Sequence, residues 1–405
     1  MSGSPQRPLD PAEDPSTAAG ERATEQGQGA PERAQSTTES GQSATATAPS
    51  PAAAAQPRRP ALARLTPARV ALGLVGAAVV IWLIVKAADD PRQFAVVSLN
   101  GITLAALFFV VASGFTLIFG LMRVVNMAHG SLYLLGGYLA LTFQEAWFKE
   151  DTGLELSLSG ASDAQYGLAG WLVPLVVATL AIGVIGVLIQ QVFLRWNQGQ
   201  ELRQALITIA LAVIFADQML AEFGGISQQI SPPSDWPTSI VLPGDVRFGF
   251  FRGVIVLGAA LAIGLALWYV IKRTRFGKVV RAGVDDRDMV SALGINVQLV
   301  FAGAFLIGAM LAGLGGVLGG TMLSLQPGED TAFLLNSLIV VIIGGMGSLA
   351  GAAIGALALG LVDAYADVYL VFGDTDLTNY SILLTFALLV AVLAVRPLGL
   401  FGRPA

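Results

Sequence analysis

Phe251–Ile271 reads FRGVIVLGAALAIGLALWYVI, and Lys272–Val297 continues as KRTRFGKVVRAGVDDRDMVSALGINV. The first stretch is a run of the roughly 20 apolar residues that an α-helix needs to cross a hydrocarbon core. The second opens on Lys272, Arg273, Arg275 and Lys278, a basic cluster of the kind that holds the cytoplasmic end of a span. A membrane helix therefore runs into a charged loop here, and most of the chain repeats that alternation.

The composition agrees. Of 405 residues, 54% are hydrophobic and 13% charged, whereas soluble domains carry about 25% charged residues. The 47 glycines suit membrane helices, whose backbones approach closely at small residues. Cys is absent and His129 is the single histidine, which excludes disulfides, thiol catalysis and multi-histidine metal sites. No metal, no bound cofactor and no catalytic residue are expected, and nothing points to a nucleic-acid partner.

Residues 1–60 are Pro, Ala, Ser, Thr, Gln, Gly and Glu with hardly a large apolar side chain. Such a segment buries too little surface to offset chain entropy, so it reads as a disordered tail. Beyond it, apolar runs predict ten spans, near 69–86, 94–119, 130–148, 169–194, 205–223, 251–271, 298–324, 332–345, 351–371 and 380–396. The eighth is short enough to be re-entrant. With the N-terminus inside, eighteen of the 23 Lys and Arg residues fall on the cytoplasmic side and five, Lys86, Arg92, Lys149, Arg247 and Arg252, fall outside. That bias predicts both termini in the cytoplasm. The fold class is thus an all-α polytopic membrane protein of about ten transmembrane helices, with membrane lipid as its solvent.

The 272–297 loop is cytoplasmic in this topology. After Gly277 it is helix-compatible, Val279, Val280, Ala282, Val284, Met289, Ala292 and Leu293 alternating with charges up to a stop at Gly294. It is either a solvated anchor or a helix lying across the membrane face to meet a partner.

Arg281, Ala282, Asp286, Ala292, Leu293, Gly294, Ile295 and Asn296 form a RAxxxDxxxxxALGIN pattern that resembles the cytoplasmic loop of branched-chain amino acid ABC transporter permeases. Two more segments are similar to that family in the same order. One is GLMRVVNMAHGSLYLLGGYLA (Gly120–Ala140), and the other is LNSLIVVIIGGMGSLAGAAIGALALG (Leu335–Gly360). Met127, Ser131 and Asp285 stand where the family more often has Phe, an acidic residue and Gln.

The resemblance implies an inner-membrane permease subunit spanning 94–405, preceded by an extra helix at 61–93. It implies partner ABC ATPases, a second permease subunit, like or unlike, and an extracytoplasmic solute-binding protein. Branched-chain amino acids are the implied cargo, and urea and short-chain amide permeases belong to the same family. It also makes 272–297 the coupling element, with Arg281, Ala282, Asp285, Asp286, Leu293 and Gly294 facing the ATPase. The chain has no GxxxxGK[ST], so ATP is used by the partner.

Polar side chains at membrane depth are costly unless paired or facing a cavity. Asn126, His129 and Ser131 are therefore candidates for the substrate pathway. His129 either lines that pathway or caps a helix and bonds a backbone carbonyl. Gly114, Gly120 and Arg123 predict a break in the second span, and Gly344, Gly345 and Gly347 end the shortened eighth; interrupted helices point to a midplane pathway. Gly347, Gly351 and Gly355, four residues apart, read as a helix-packing face with Gly344 and Gly345, and Gly315/Gly319 and Gly316/Gly320 as another.

Asp217, Asp363 and Asp367 fall in the outer half of their spans. They are either interfacial or form a wall for a cationic group. The rival architecture, an ion-coupled secondary transporter, would use these three as ligands. A membrane-embedded enzyme lacks any convergent nucleophile and base.

Overall fold

The computed structural model describes residues 67–122, 126–148, 166–197, 199–372 and 375–402. The predicted tail at 1–60, and Arg123, lie outside the described residues.

Helix dominates, because a lipid-exposed backbone must bond to itself. The order is α1 (Pro67–Asp89), α2 (Pro91–Met122), α3 (His129–Phe148), α4 (Leu168–Ile189, extended by a π-helical turn to Leu194), α5 (Glu201–Phe223), the hairpin β1 (Ser239–Leu242) and β2 (Val246–Gly249), then α6 (Leu257–Arg273, preceded by a π-helical turn from Phe251). There follow α7 (Arg275–Asp285), α8 (Arg287–Ala292), α9 (Val297–Met322), α10 (Glu329–Gly344), α11 (Leu349–Tyr369), the two-residue strands β3 (Val371–Phe372) and β4 (Thr375–Asp376), and α12 (Ser381–Val395). Each of the ten predicted spans coincides with a helix. Among the described residues, Pro91–Gly120, Leu168–Asn197, Glu201–Phe223, Phe251–Arg273, Val297–Met322 and Leu349–Tyr369 are long and apolar enough to cross a membrane. Helices α10 and α12, at 16 and 15 residues, are shorter.

Helix α2 is the centre: 78% of its apolar window is buried, against 11% in α5 and 17% in the span ending in α6. It packs on α9, α10, α11 and α6, and α9 in turn holds α3 and α4. Leu206, Val213 and Ile214 of α5 and Leu261 and Leu265 of α6 stand exposed, the residues a lipid-facing surface requires. Helix α1 is held near its end by Trp82, edge-on to Tyr369 at 5.8 Å.

Helix α2 runs unbroken from Pro91 to Met122, contrary to the predicted interruption. Gly114 and Gly120 serve close packing instead. A Cβ on Gly114 would lie 2.6 Å from the Gly308 carbonyl of α9, and one on Gly120 would lie 2.6 Å from Gly347 Cα.

Contacts between element ends sort them into two faces. On one, the Arg92 guanidinium meets the Asp245 carboxylate at 2.7 Å, Gln144 donates to the carbonyls of Gly170 and Ser231, and Gln228 pairs with Leu325 as an antiparallel bridge. These join the start of α2, the end of α3, the start of α4, the β1–β2 region and the exit of α9, all predicted to be outside. On the other face the α10–α11 turn meets the end of α2, and the C-terminal segment closes on α10: Leu400 N–H donates to Ile343 O at 2.8 Å and Phe401 N–H to Gly344 O at 3.0 Å. The charge-derived alternation and the packing therefore agree on which ends lie together.

Those last two bonds satisfy carbonyls that a helix C-terminus otherwise leaves open. Truncation after Leu398 removes both donors, and the expected loss is about 1–3 kcal/mol, read as a lowered unfolding midpoint of the purified protein. An unchanged midpoint would show that water replaces them without cost.

Candidate functional site

Helix α3 begins at His129, directly after a turn in which Asn126 O accepts from His129 N–H at 3.2 Å and Asn126 Oδ1 accepts from Ala128 N–H at 3.2 Å. Asn126, His129 and Ser131 are all buried, at 1%, 0% and 2% exposure. His129 Nε2 lies 3.0 Å from the Val111 carbonyl of α2; a carbonyl only accepts, so Nε2 carries the proton. The imidazole also sits edge-on to Phe115 at 5.5 Å. Of the two roles open to His129, bonding a backbone carbonyl is the one the geometry displays. Among the described residues, His129 Nδ1 and Asn126 Nδ2 have no partner.

Ser131 reaches across to a residue the sequence placed in an outer loop. Its Oγ lies 3.3 Å from Asp330 Oδ2 of α10 and 3.4 Å from the Ala212 carbonyl of α5. Asp330 is 6% exposed and occupies the first turn of α10, which follows Gly328 in the left-handed conformation at φ +98°. The two helix starts are in direct contact, since a Cβ on Gly130 would overlap the Asp330 carbonyl oxygen. One turn on, Tyr133 stacks on Phe333 with ring centroids 3.9 Å apart.

The depth follows from α2. Val111 lies four to five residues past the middle of the predicted 94–119 span, about 7 Å along the axis, and so well inside a hydrocarbon core about 30 Å thick. Helices α3 and α10 thus both present their N-termini inside the hydrocarbon core, each carrying the partial positive charge of unsatisfied amides. The α10 segment is a partial helix. Met322, at the end of α9, is bound to Arg252 on the predicted outer face at 3.1 Å; Leu323–Gly328 re-enters the bundle, and α10 completes the crossing. The interrupted element is therefore at the starts of α3 and α10, not inside α2. The signal for Asp330 was present, a Gly followed by acids opening a helix, but which other helix start it would meet was not.

The predicted glycine face divides in two. Gly351 and Gly344 meet backbone to backbone, and a Cβ on Gly355 would lie 2.5 Å from Val340 O, so these three close the α10–α11 pair. Gly345 and Gly347 lie in the turn at φ +95° and +78°, and Gly347 faces Gly120 of α2, off the α11 face. In α9, Gly315 lies against Val111, and Gly316 and Gly319 lie against Tyr133. All of these contacts are internal to the subunit.

The loop after α6 forms two short helices where one was predicted. Asp286 takes an extended conformation (φ −148°, ψ 101°), and its carboxylate accepts from Met289 N–H, so it caps α8 instead of continuing α7. Asp285 is the last residue of α7. Gly294 has φ +80° and terminates α8 as predicted. Val280 and Val290 are buried, Val290 against Val297 and Phe301 at the start of α9. Arg281 and Ala282 are exposed, and Met289 and Leu293 stand 59% and 71% exposed. The pair α7–α8 is thus anchored on one side, and on the other it exposes the basic Arg275, Lys278 and Arg281 together with the apolar Met289 and Leu293.

Of the predicted acids, Asp363 and Asp367 stay one turn apart on α11, and Asp217 lies on α5. Asp363 accepts from Thr385 Oγ1 at 2.9 Å, Asp367 lines a cavity together with Arg252, and Asp217 is exposed. Among the described residues, no three His, Cys, Asp or Glu side chains gather as a metal site would require.

With this geometry in place, the family described as "Branched-chain amino acid transport system / permease component" matches residues 97–393. The chain is 31% identical over 312 residues to the high-affinity branched-chain amino acid transport system permease protein LivH of Escherichia coli (strain K12), covering 75% of this chain and 94% of the relative. It is 29% identical to the permease protein BraD of Pseudomonas aeruginosa, with the same coverage. It is 24% identical to the probable permease protein LivH of Methanocaldococcus jannaschii, covering 73% of this chain and 89% of that one. No solved structure matches the chain.

Proposed function

The chain belongs to the family of branched-chain amino acid transport permease components and is a permease subunit of an ABC importer, and on that premise we propose that it moves branched-chain amino acids inward past the meeting N-termini of α3 and α10. One observation carries this reading: the contact of Ser131 and Asp330 inside the hydrocarbon core, where two helix starts face each other as in transporters built on broken helices. The Asp330 carboxylate is held by its own helix N-terminus and by one weak hydroxyl contact, so it accepts a substrate ammonium when α3 and α10 part. Asn126 Nδ2, a buried donor without a partner among the described residues, belongs to the turn that opens α3.

The motion comes from the other end of the molecule. ATP binding and hydrolysis by partner ATPases act on α7–α8, through Arg281, Ala282, Asp285, Asp286, Leu293 and Gly294. Val290 packs on Phe301, passing the displacement to α9 and so to α3. A second permease subunit and an extracytoplasmic binding protein complete the importer. Both termini of this multi-pass inner-membrane subunit lie in the cytoplasm, as the positive-inside bias supports.

Proteoliposomes holding the whole complex test this. Leucine uptake that requires ATP and the binding protein is the expected result; uptake by this chain alone, driven by an ion gradient, would establish the ion-coupled rival instead. Asp330→Asn keeps the shape and removes the charge. Uptake is expected to drop about tenfold or more, the equivalent of one charge-assisted hydrogen bond. Stability should hold or rise, since a buried carboxylate is costly. Unchanged uptake would remove Asp330 from the pathway.

A further inference from the structure

A cavity of about 180 Å³ opens between α2, α11, the end of α9 and the π-helical turn before α6. For scale, an apolar cavity of about 150 Å³ holds benzene. Its lining combines Arg252 and Asp367 with the Asn100 carboxamide and the apolar Val97, Leu104 and Met322. It lies on the predicted outer face, where Arg252 holds the Met322 carbonyl at 3.1 Å. That bond uses one guanidinium nitrogen, and among the described residues the Arg252 side chain makes no other hydrogen bond or ion pair.

The two charges line one cavity yet form no ion pair with each other; among the described residues the ion pair joins Arg92 to Asp245. Asp367 also differs from its neighbour one turn earlier, because Asp363 is already bonded to Thr385. Opposite charges that line one cavity without pairing, together with Val97, Leu104 and Met322, match a small zwitterion with an aliphatic body. We propose that this cavity is an entry site for an aliphatic α-amino acid, its carboxylate on Arg252, its ammonium on Asp367 and the Asn100 oxygen, and its side chain on Val97, Leu104 and Met322. The proposal rests on the importer reading and adds to it a site some distance along the route before Asp330. The same charge pattern fits a phosphatidylethanolamine headgroup, and the experiment separates the two.

The assembled importer is placed in nanodiscs of phosphatidylglycerol, with or without phosphatidylethanolamine, and binding of tritiated leucine is measured without binding protein. Saturable binding is expected, weakened about tenfold or more by either Arg252→Gln or Asp367→Asn, since each removes a charge-assisted contact. Arg252→Lys and Asp367→Glu should keep most of it. Two analogues supply a readout that misfolding would not mimic. 3-Methylbutylamine, which lacks the carboxylate, should compete poorly with wild type and relatively better once Arg252 is Gln. 4-Methylpentanoate, which lacks the ammonium, should behave likewise once Asp367 is Asn. Equal leucine affinity in wild type and both variants overturns the proposal. So does binding that disappears when phosphatidylethanolamine is present, with that lipid recovered from wild type and not from the variants, because the cavity then holds a headgroup. Absence of leucine binding by a complex that still imports leucine overturns the entry site alone. A complex that imports nothing with ATP and binding protein overturns the importer reading.

Discussion

A Gly130→Leu importer takes up no leucine above background, whereas Gly258→Leu is expected to transport normally. Even the first carbon of a side chain at Gly130 would overlap the Asp330 carbonyl and lie 2.8 Å from Leu334 Cβ, while nothing lies within 4 Å of the same position at Gly258. Overpacking a dense interior costs about 1–3 kcal/mol when side chains can yield. Here the obstacle is backbone, so α3 and α10 must separate. Separation breaks the Ser131–Asp330 contact and the Tyr133–Phe333 stack together. Uptake in proteoliposomes measures the transport loss, and the unfolding midpoint of the purified complex measures the packing loss. Gly316→Leu should behave like Gly130→Leu, since its Cβ would overlap the Tyr133 carbonyl. Wild-type uptake by Gly130→Leu would show that the two helix starts do not meet in the working transporter.

The second large effect is expected at the opposite end. Changing Met289 and Leu293 together to Asp should release the ATPases and abolish uptake while the permease still inserts and purifies as a folded subunit. Both side chains are exposed, so the substitutions remove no internal packing. If each is an interface anchor worth about 2 kcal/mol, losing both weakens docking by well over 100-fold. Gly294→Arg tests the same surface by another route: no atom lies within 4 Å of its Cβ, but an L-residue must adopt φ +80°, at about 1–2 kcal/mol. Deletion of 281–294 is the extreme case. Gly294→Asn, which tolerates that conformation, should keep the ATPases bound. Co-purification of the ATPases with the double Asp variant at wild-type yield would place the docking surface elsewhere.

These expectations show where local sequence is informative. The span ends were legible because hydropathy and charge belong to contiguous residues: Lys272 and Arg273 close α6, and Gly294 stops α8. The break at Asp286 was missed because helix-compatible alternation on both sides concealed a capping aspartate, whose carboxylate competes with the next helical turn for an amide. Gly114 and Gly120 were read as breakers because glycine weakens an isolated helix. In a bundle that cost is offset by the close approach of Gly308 and Gly347.

The amino-acid sequence by itself determined that this protein lives in a membrane, where its long apolar helices lie, and which family it resembles. Each of these depends on runs of neighbouring residues, on which the exclusion of charge from hydrocarbon acts directly. Tertiary structure alone decided that Ser131 meets Asp330 across 199 residues, that α10 starts inside the hydrocarbon core, and that Arg252 and Asp367 share a cavity. Those pairings depend on which helix packs against which. In lipid that choice is made by the fit of glycine surfaces and a few polar contacts, features of two surfaces together that neither segment displays alone.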